Sequence, residues 1–480
     1  MKTIVIIGGG FSGTMTAVNL ARFARQPARV VIVNHRRPLG RGTAYGTRHP
    51  DHLLNVAARN MSAVADQADH FVNWLRCRGE YGDLPEAELR ETFAPRRIYG
   101  DYLRSLAFGY LHPLDERGRV VIEAYEDEAV DVESHHGGGL LVSLASGELL
   151  ETDHVVLATG NQPPAPLAGL PEGFAHPCYV ADPWSDWEAR LSDSMLDVVL
   201  LGTGLTMVDT LVTLLSRDWQ GKIIAVSRNG MLPLAHFRGI EYHDFPPSAP
   251  EELGLRALLE SVEEHCGLLR QRGANPGIAI DRLRPHTQRI WKNFSLAEKQ
   301  EFLCRYAARW NIIRHRIAQP IHERMTKALE EGRLRVVRGT VDGVEGCAGG
   351  VRVLLATDAG RDSVTAALAI NCTGPQAQFS ATNVPLFQNL LERGLARPDP
   401  LDMGLDVDDQ LAVIGRDGLT SGCLFALGPL LKGTLWETTA VPELRGQAMQ
   451  LARVLLADEM PDGDDSRFRV REEAVLEYYI

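Results

Sequence analysis

Gly8, Gly10 and Gly13 stand in a G-x-G-x-x-G spacing directly after the apolar run Thr3-Ile4-Val5-Ile6-Ile7, with Phe11 and Ser12 between the last two glycines. A buried parallel strand turning into a helix presents free backbone N–H groups, and the positive end of the helix dipole, to an anion. Gly8 permits the tight turn, Gly10 lets a pyrophosphate approach the backbone, and Gly13 lets helix and strand pack closely. The pattern recurs where Val198-Val199-Leu200-Leu201 runs into Gly202-Thr203-Gly204. The partner strand of that second copy, Lys222 to Val226, ends in Ser227 and Arg228. An arginine pairs a 2′-phosphate in a forked geometry that a carboxylate would repel, so this corner favours NADPH over NADH.

Two positions depart from the pattern. After Val30-Val31-Ile32-Val33 comes Asn34, where a ribose-binding acid is expected about 20 residues past the glycines. An amide still hydrogen-bonds ribose hydroxyls. The following Arg36 and Arg37 read either as solvated surface residues or as contacts to a 2′-phosphate, which would make the first site an NADP site. In the second turn Met207 stands where a third small residue belongs, predicting looser packing of helix on strand.

These turns need a scaffold, and the chain supplies it twice. His154 to Ala158 is an apolar strand ending in Thr159-Gly160, and Ala366 to Ile370 leads through Cys372 to Thr373-Gly374. Each reads as a crossover from one mononucleotide fold to the other. The expected fold class is α/β, with two nested Rossmann-like dinucleotide-binding domains on a glutathione-reductase-like flavoprotein plan and a helical insertion. The expected domains are 1–165 for the first part of an FAD-binding domain and 166–365 for an NADPH-binding domain with a helical insertion at about 235–332. Residues 366–460 form the return of the FAD domain, and 461–480 a peripheral tail. Leu39 to Gly46 reads as an irregular glycine-rich loop, either a plain connection or backbone wrapped around a ligand. Val120 to Leu150 reads as a small antiparallel sheet, and Phe302 to Ile317 as one helical stripe. The helical block carries Arg284, His286, Arg289, Trp291, Arg305, Arg309, Trp310, Arg314, His315 and Arg316. Either these cap the nicotinamide and supply cations for an anionic substrate, or they are a solvated face pairing with surplus acids.

Composition sets the outer limits. A chain of 480 residues with 45% hydrophobic and 23% charged residues is a globular protein of two or three domains. A formal net charge of −12 argues against a nucleic-acid surface. No run reaches the ~18 apolar residues of a membrane span, and a strand beginning at Thr3 leaves no room for a signal peptide. Seven cysteines without a C-x-x-C pair disfavour a disulfide framework, a metal site and a dithiol redox centre. A cytoplasmic location is expected.

Four further segments carry a more specific likeness: Gly40-Arg41-Gly42-Thr43-Ala44-Tyr45-Gly46; Leu53-Leu54-Asn55-Val56 with Met61-Ser62; Tyr99-Gly100-Asp101-Tyr102-Leu103; and Gly428-Pro429 through Pro442. With them the chain resembles the bacterial FAD/NAD(P)-binding protein family over nearly its full length. It is more distantly similar to flavin-containing and N-hydroxylating monooxygenases. The resemblance implies FAD at the N-terminal turn, with Gly8, Gly10, Ser12 and Gly13 at the pyrophosphate and Asn34 near the adenosine ribose. It places Asn55 and Met61 near the isoalloxazine and Thr434 to Thr439 near its far end. The full set of expected cofactor contacts adds Phe11, Arg41, Thr43, Tyr45, Val130, Thr159, Gly160, Gly202, Gly204, Ser227, Arg228, Gly374, Gly428, Leu435, Glu437 and Thr438.

The function expected from this is an FAD- and NADPH-dependent oxidoreductase, a flavin monooxygenase that activates molecular oxygen at the flavin C4a. Its substrate is a small nucleophile such as an amine or amino acid, oxygenated on nitrogen. Asn55 is the one catalytic candidate, an amide that holds the nicotinamide, or donates to the peroxide, or merely satisfies a loop. The alternatives are an NAD(P)H oxidase or electron-transfer reductase, and a non-catalytic flavin-binding sensor.

Overall fold

The computed structural model describes residues 1–35, 38–111, 119–135, 137–167, 170, 174–191, 193–237 and 242–459. Arg36, Arg37 and the tail 461–480 lie outside the described residues.

Two mainly parallel sheets carry the fold. The first runs in the order Ala412–Ile414, Thr420–Ala426, His154–Leu157, Lys2–Ile7, Ala28–Val33, Val120–Tyr125. The second runs Leu334–Arg338, Ile223–Ser227, Val198–Leu201, Leu368–Asn371, Tyr179–Val180. The opening strand is buried on both faces, with Ile4, Val5 and Ile6 at 0% exposure, which is why it reads as an unbroken apolar run rather than an alternating one. Two strands of the first sheet come from residues beyond the whole of the second, so one fold is nested in the other.

Both halves repeat the same local plan. In each, a strand ends in a glycine turn that opens a helix, Phe11–Phe23 in the first and Leu205–Ser216 in the second. Each sheet also has a three-stranded antiparallel companion: Ala129–Ser134, Leu140–Leu144 and Leu149–Thr152 in the first half, and Thr340–Cys347, Gly350–Thr357 and Gly360–Ala366 in the second.

Several expectations are corrected. Val120–Tyr125 belongs to the main sheet, parallel to Ala28–Val33; its alternating burial suits an edge strand that covers the core with one face only. Leu368–Asn371, expected in the return segment, pairs with Val198–Leu201 in the second sheet, so the return begins beyond it. Gly42–Tyr45 forms a short helical turn inside the loop expected to be irregular. The stripe from Phe302 to Ile317 is two helices, Leu296–Arg305 and Ala307–Arg314, meeting at Tyr306. Gln319–Glu330 buries Ile321, Met325 and Ala328 in the core of the second half, so it is a crossover helix of that half and not part of the insertion. The insertion has its own core of Tyr242, Phe245, Leu255, Trp291 and Phe302, which Trp436 of the return segment completes. Met207 is wholly buried among Leu200, Val208 and Leu211, where its bulk fills the helix–sheet seam. Among the described residues, no helix is long and apolar enough to cross a membrane.

Candidate functional site

The two glycine turns share their opening geometry. Gly8 has φ +110° and Gly202 φ +117°, backbone that only glycine adopts without strain. A Cβ on Gly8 would stand 2.4 Å from Ala158 O, and one on Gly202 2.5 Å from Cys372 O. Each glycine therefore abuts the end of its crossover strand, and Ala158 and Cys372 each return a 2.8 Å hydrogen bond, to Ile7 O and Leu201 O. Both following helices begin at a glycine, Gly10 or Gly204, with extended backbone and no side-chain cap. Their first N–H groups are open to an anion, and a pyrophosphate fits them.

Around the first turn the predicted segments converge. Gly40 N donates to Gly9 O at 2.8 Å, and Gly42 packs on Gly10, its would-be Cβ 3.1 Å from Gly10 Cα. Arg41 pairs with Asp101, and Tyr45 packs its ring on Tyr99 at 4.7 Å between centroids. Thr43 is exposed, as is Thr159, which precedes Gly160 in the chain. Phe11 and Ser12 are buried in the first helical turn, with Ser12 Oγ in contact with Gly428. Asn34 Oδ1 accepts from Gly9 N at 3.0 Å; the amide braces the turn itself, a role that the missing acid could also have filled. Val130 sits at a bulge of the small sheet, and its carbonyl accepts from Asn389 Nδ2 at 2.9 Å. Met61 is buried in the main core.

At the second corner Thr203 Oγ1 donates to Ser227 Oγ at 2.8 Å, and Gly230 N donates to the same oxygen at 3.1 Å. Ser227 thus shapes the turn, and Arg228 beside it is exposed. Gly374, like Gly160, has a positive φ with open space where a side chain would be.

The return segment closes on both halves. Thr438 Oγ1 donates to Gly428 O and accepts from Gln447 Nε2, and Gln447 Oε1 accepts from Gly428 N, all at 2.8 Å. Thr438 is therefore spent within the loop. Leu435 is a core residue, and Thr434 reaches only Leu405 O.

A cavity of about 240 Å³ lies where this segment faces the second turn. Gly204 and Leu205 form one wall, Asn311, Ile312 and His315 of the insertion another, and Lys432, Trp436, Glu437 and Thr439 the third. Around it the buried charges nearly cancel. Arg284 holds Glu443 through two hydrogen bonds of 3.0 and 3.2 Å, and Arg314 Nε lies 3.3 Å from Glu437 Oε1. Lys432 is left over: among the described residues it makes no hydrogen bond or ion pair, and its Nζ stands 5.7 Å from the centroid of the Trp436 ring. Burial lowers its pKa, with Glu437 opposing. Burial disfavours the charge of Glu437, but Arg314, His315 and Arg284 outweigh it and hold the carboxyl below its usual range. Glu437 Oε1, Arg314 Nε and Trp310 Nε1 are buried without a completed hydrogen bond, so this wall is polar and unsatisfied.

Two histidines here are neutral at pH 7. His315 is pushed down to about 4 by burial and by Arg314, Lys432 and Arg284, against the pull of Glu437. His236 also falls to about 4, through burial and Arg316. Its Nε2 bonds Asn55 O, and Asn55 Oδ1 meets Arg96 Nη2 at 3.5 Å. Asn55 is half-buried and held from two sides.

Of the expected cations, Arg284, Arg314 and Arg316 are buried and paired, Arg316 with Asp281, whereas Arg289, Arg305 and Arg309 are exposed. The block thus divides into arginines buried against the chain's own carboxylates and arginines on the surface. The sequence reading missed Lys432 and Asn311, whereas Trp436 lies within the Thr434 to Thr439 segment it had placed near the flavin; only the oddity of a lysine inside an otherwise apolar and small-residue segment marks the first.

Residues 5–162 match the model of an FAD-NAD(P)-binding family. Uncharacterized proteins of Mycobacterium bovis and Mycobacterium tuberculosis are 22% identical over 522 aligned positions, covering 95% of this chain and 96% of theirs. Among solved structures, the ornithine hydroxylase from Pseudomonas aeruginosa superposes with a TM-score of 0.66 at 16% identity, covering 96% of this chain and 100% of that one. The Kutzneria ornithine N-hydroxylase gives 0.65 at 14%, covering 95% and 99%. L-lysine 6-monooxygenase from Pseudomonas syringae gives 0.65 at 18%, covering 96% and 100%. The shared fold is the two-lobed flavoprotein plan.

Proposed function

From an N-terminal FAD-NAD(P)-binding domain nested around a second glycine turn, we propose that this protein is an FAD- and NADPH-dependent monooxygenase that oxygenates the nitrogen of a small amine or amino acid. FAD supplies hydride acceptance and oxygen activation, and NADPH supplies the hydride. The chain's part is to bind, orient and exclude water. Gly8, Gly10 and the Phe11–Phe23 helix hold the first pyrophosphate. Gly202, Gly204 and the Leu205–Ser216 helix hold the second, with Arg228 reading the 2′-phosphate. Asn55, fixed by His236 and Arg96, presents its amide at the meeting of the two lobes. Support for the reading also comes from the proteins of like fold, described as two ornithine hydroxylases and an L-lysine 6-monooxygenase.

The observation that carries the reading is the cavity shared by Gly204 of one half and Lys432 of the other. It brings a nucleotide turn, an aromatic wall and one half-buried cation without a carboxylate partner together. A half-buried ammonium without a carboxylate partner bears part of the desolvation cost until a ligand anion pairs with it, so Lys432 is the group that binds a substrate carboxylate. Glu437 Oε1 accepts from a donor on the same molecule, and neutral His315 leaves a substrate amine unrepelled.

The test is a screen of small amines and amino acids against the FAD-loaded protein, with NADPH consumption and N-oxygenated product measured together. Product in proportion to NADPH supports the reading. NADPH consumption returned wholly as hydrogen peroxide across the screen supports the oxidase instead. Lys432→Met raises the KM for carboxylate-bearing substrates and leaves FAD content unchanged.

A further inference from the structure

The helical insertion carries a second, smaller and partly open pocket of about 30 Å³, lined by Leu258, Leu259, Val262, Ile290, Phe302 and Trp436. Too small for an amine substrate, it exceeds the ~10–15 Å³ that one water needs. Its walls are almost wholly apolar, and the few polar groups on them point elsewhere. The Thr287 hydroxyl donates to Leu283 O at 3.1 Å, and Trp291 Nε1 to Gly433 O at 2.7 Å. Trp310 Nε1 faces Glu437, on the side of the main cavity. An apolar pocket of this size favours small apolar molecules over water.

Its position gives it a use. Trp436 lines both, so one indole separates the apolar pocket from the cleft between the lobes. That indole is held under strain, at φ +63°, a conformation that persists in a non-glycine residue only where its surroundings over-determine it. Here they do: Trp436 stacks on Trp291 at 5.0 Å and meets Phe302 edge-on at 5.3 Å.

We propose that this cavity is a binding site for dioxygen, from which the gas reaches the cleft past Trp436. The proposal rests on the monooxygenase reading, and it adds an entry side for the gas distinct from that of the nucleotide and the polar substrate. Dioxygen is small and apolar, so it partitions into such a pocket as it does into hydrocarbon, whereas the charged substrate is kept out.

The experiment uses xenon as the probe. Crystals of the FAD-loaded protein under xenon pressure are expected to show the atom among Leu258, Val262 and Phe302. In Leu259→Phe and Val262→Phe, each checked by thermal melting, the xenon is lost and the apparent KM for oxygen rises several-fold, while anaerobic reduction of the flavin by NADPH keeps its rate. An empty cavity under xenon overturns the proposal, as does an unchanged oxygen KM in a folded, filled variant. Xenon bound in a protein that consumes no oxygen overturns the monooxygenase reading and the oxygen route with it. Oxygen consumption with no xenon bound overturns the route alone.

Discussion

Arg96 Nη1 donates to Asp209 Oδ2 at 2.7 Å, and both side chains are only 11% exposed. The bond joins the two halves at the point where their chemistry must meet. Asp209 lies on the Leu205–Ser216 helix that opens at the second glycine turn, while Arg96 Nε also holds Leu53 O at 2.9 Å, two residues before Asn55. His52 adds a second tie, its Nε2 meeting Thr213 Oγ1 at 2.9 Å and Asp209 O at 3.0 Å.

Breaking this pair from one side leaves a charge buried without its partner. Arg96→Met is expected to destabilise the protein by about 3 kcal/mol. Replacing both ends, Arg96→Met with Asp209→Leu, is expected to recover part of that loss. Urea unfolding of the single and double variants measures both. A loss below about 0.5 kcal/mol for the single variant, the range of an ordinary surface change, would show that the pair holds nothing together.

The matched glycines predict separable defects. Gly8→Ala places a methyl against Ala158 O and distorts the first turn, so FAD content falls. Gly202→Ala does the same against Cys372 O, so flavin stays bound while its reduction by NADPH slows by at least tenfold. Absorbance of the purified variants and anaerobic mixing with NADPH read the two losses. Loss of flavin in Gly202→Ala would mean that the turns do not serve separate nucleotides.

Arg228 is exposed at the corner beside Ser227. Arg228→Ala is expected to raise the KM for NADPH about tenfold and leave that for NADH nearly unchanged, because only the former carries the 2′-phosphate. Steady-state kinetics with both nucleotides decide it. Equal effects would remove Arg228 from the 2′-phosphate site.

His236 and His315 make stability depend on pH. Each titrates near 4 in the folded protein and near 6.5 unfolded. Between those values the unfolded chain binds more protons, so stability rises with pH. Their contribution is whole above about pH 6.5 and is lost as pH falls through 4. The Tm is expected to drop across that window, and less steeply in His315→Gln. A slope unaltered by the substitution would show that His315 is not held neutral in the fold.

What the sequence made legible is what local rules govern. The glycine turns, the Thr-Gly crossovers and the nesting follow from strands that must be buried on both faces and from backbone that must reach an anion. Edges were less legible. Val120–Tyr125 alternates as any half-buried strand does, and nothing in its residues tells a main-sheet edge from a small antiparallel sheet. The break at Tyr306 carries neither glycine nor proline, and tertiary packing sets it. Lys432 looked like one residue of a loop motif. Its importance lies in what surrounds it, since Glu443 and Glu437 are claimed by Arg284 and Arg314, and such pairing over more than a hundred residues of chain leaves no local pattern. Asn34 shows the converse: a position conspicuous in the sequence because an acid is missing, whose side chain braces Gly9.

The central claim is that the two halves bring a nicotinamide to a flavin in the cleft between Gly204 and Lys432. Anaerobic stopped-flow mixing of the FAD-loaded protein with NADPH tests it most directly. The account predicts single-turnover bleaching of the flavin's visible absorbance, saturable in NADPH and slowed by Gly202→Ala. A protein that binds no flavin on reconstitution, or whose bound flavin NADPH leaves oxidised, contradicts it.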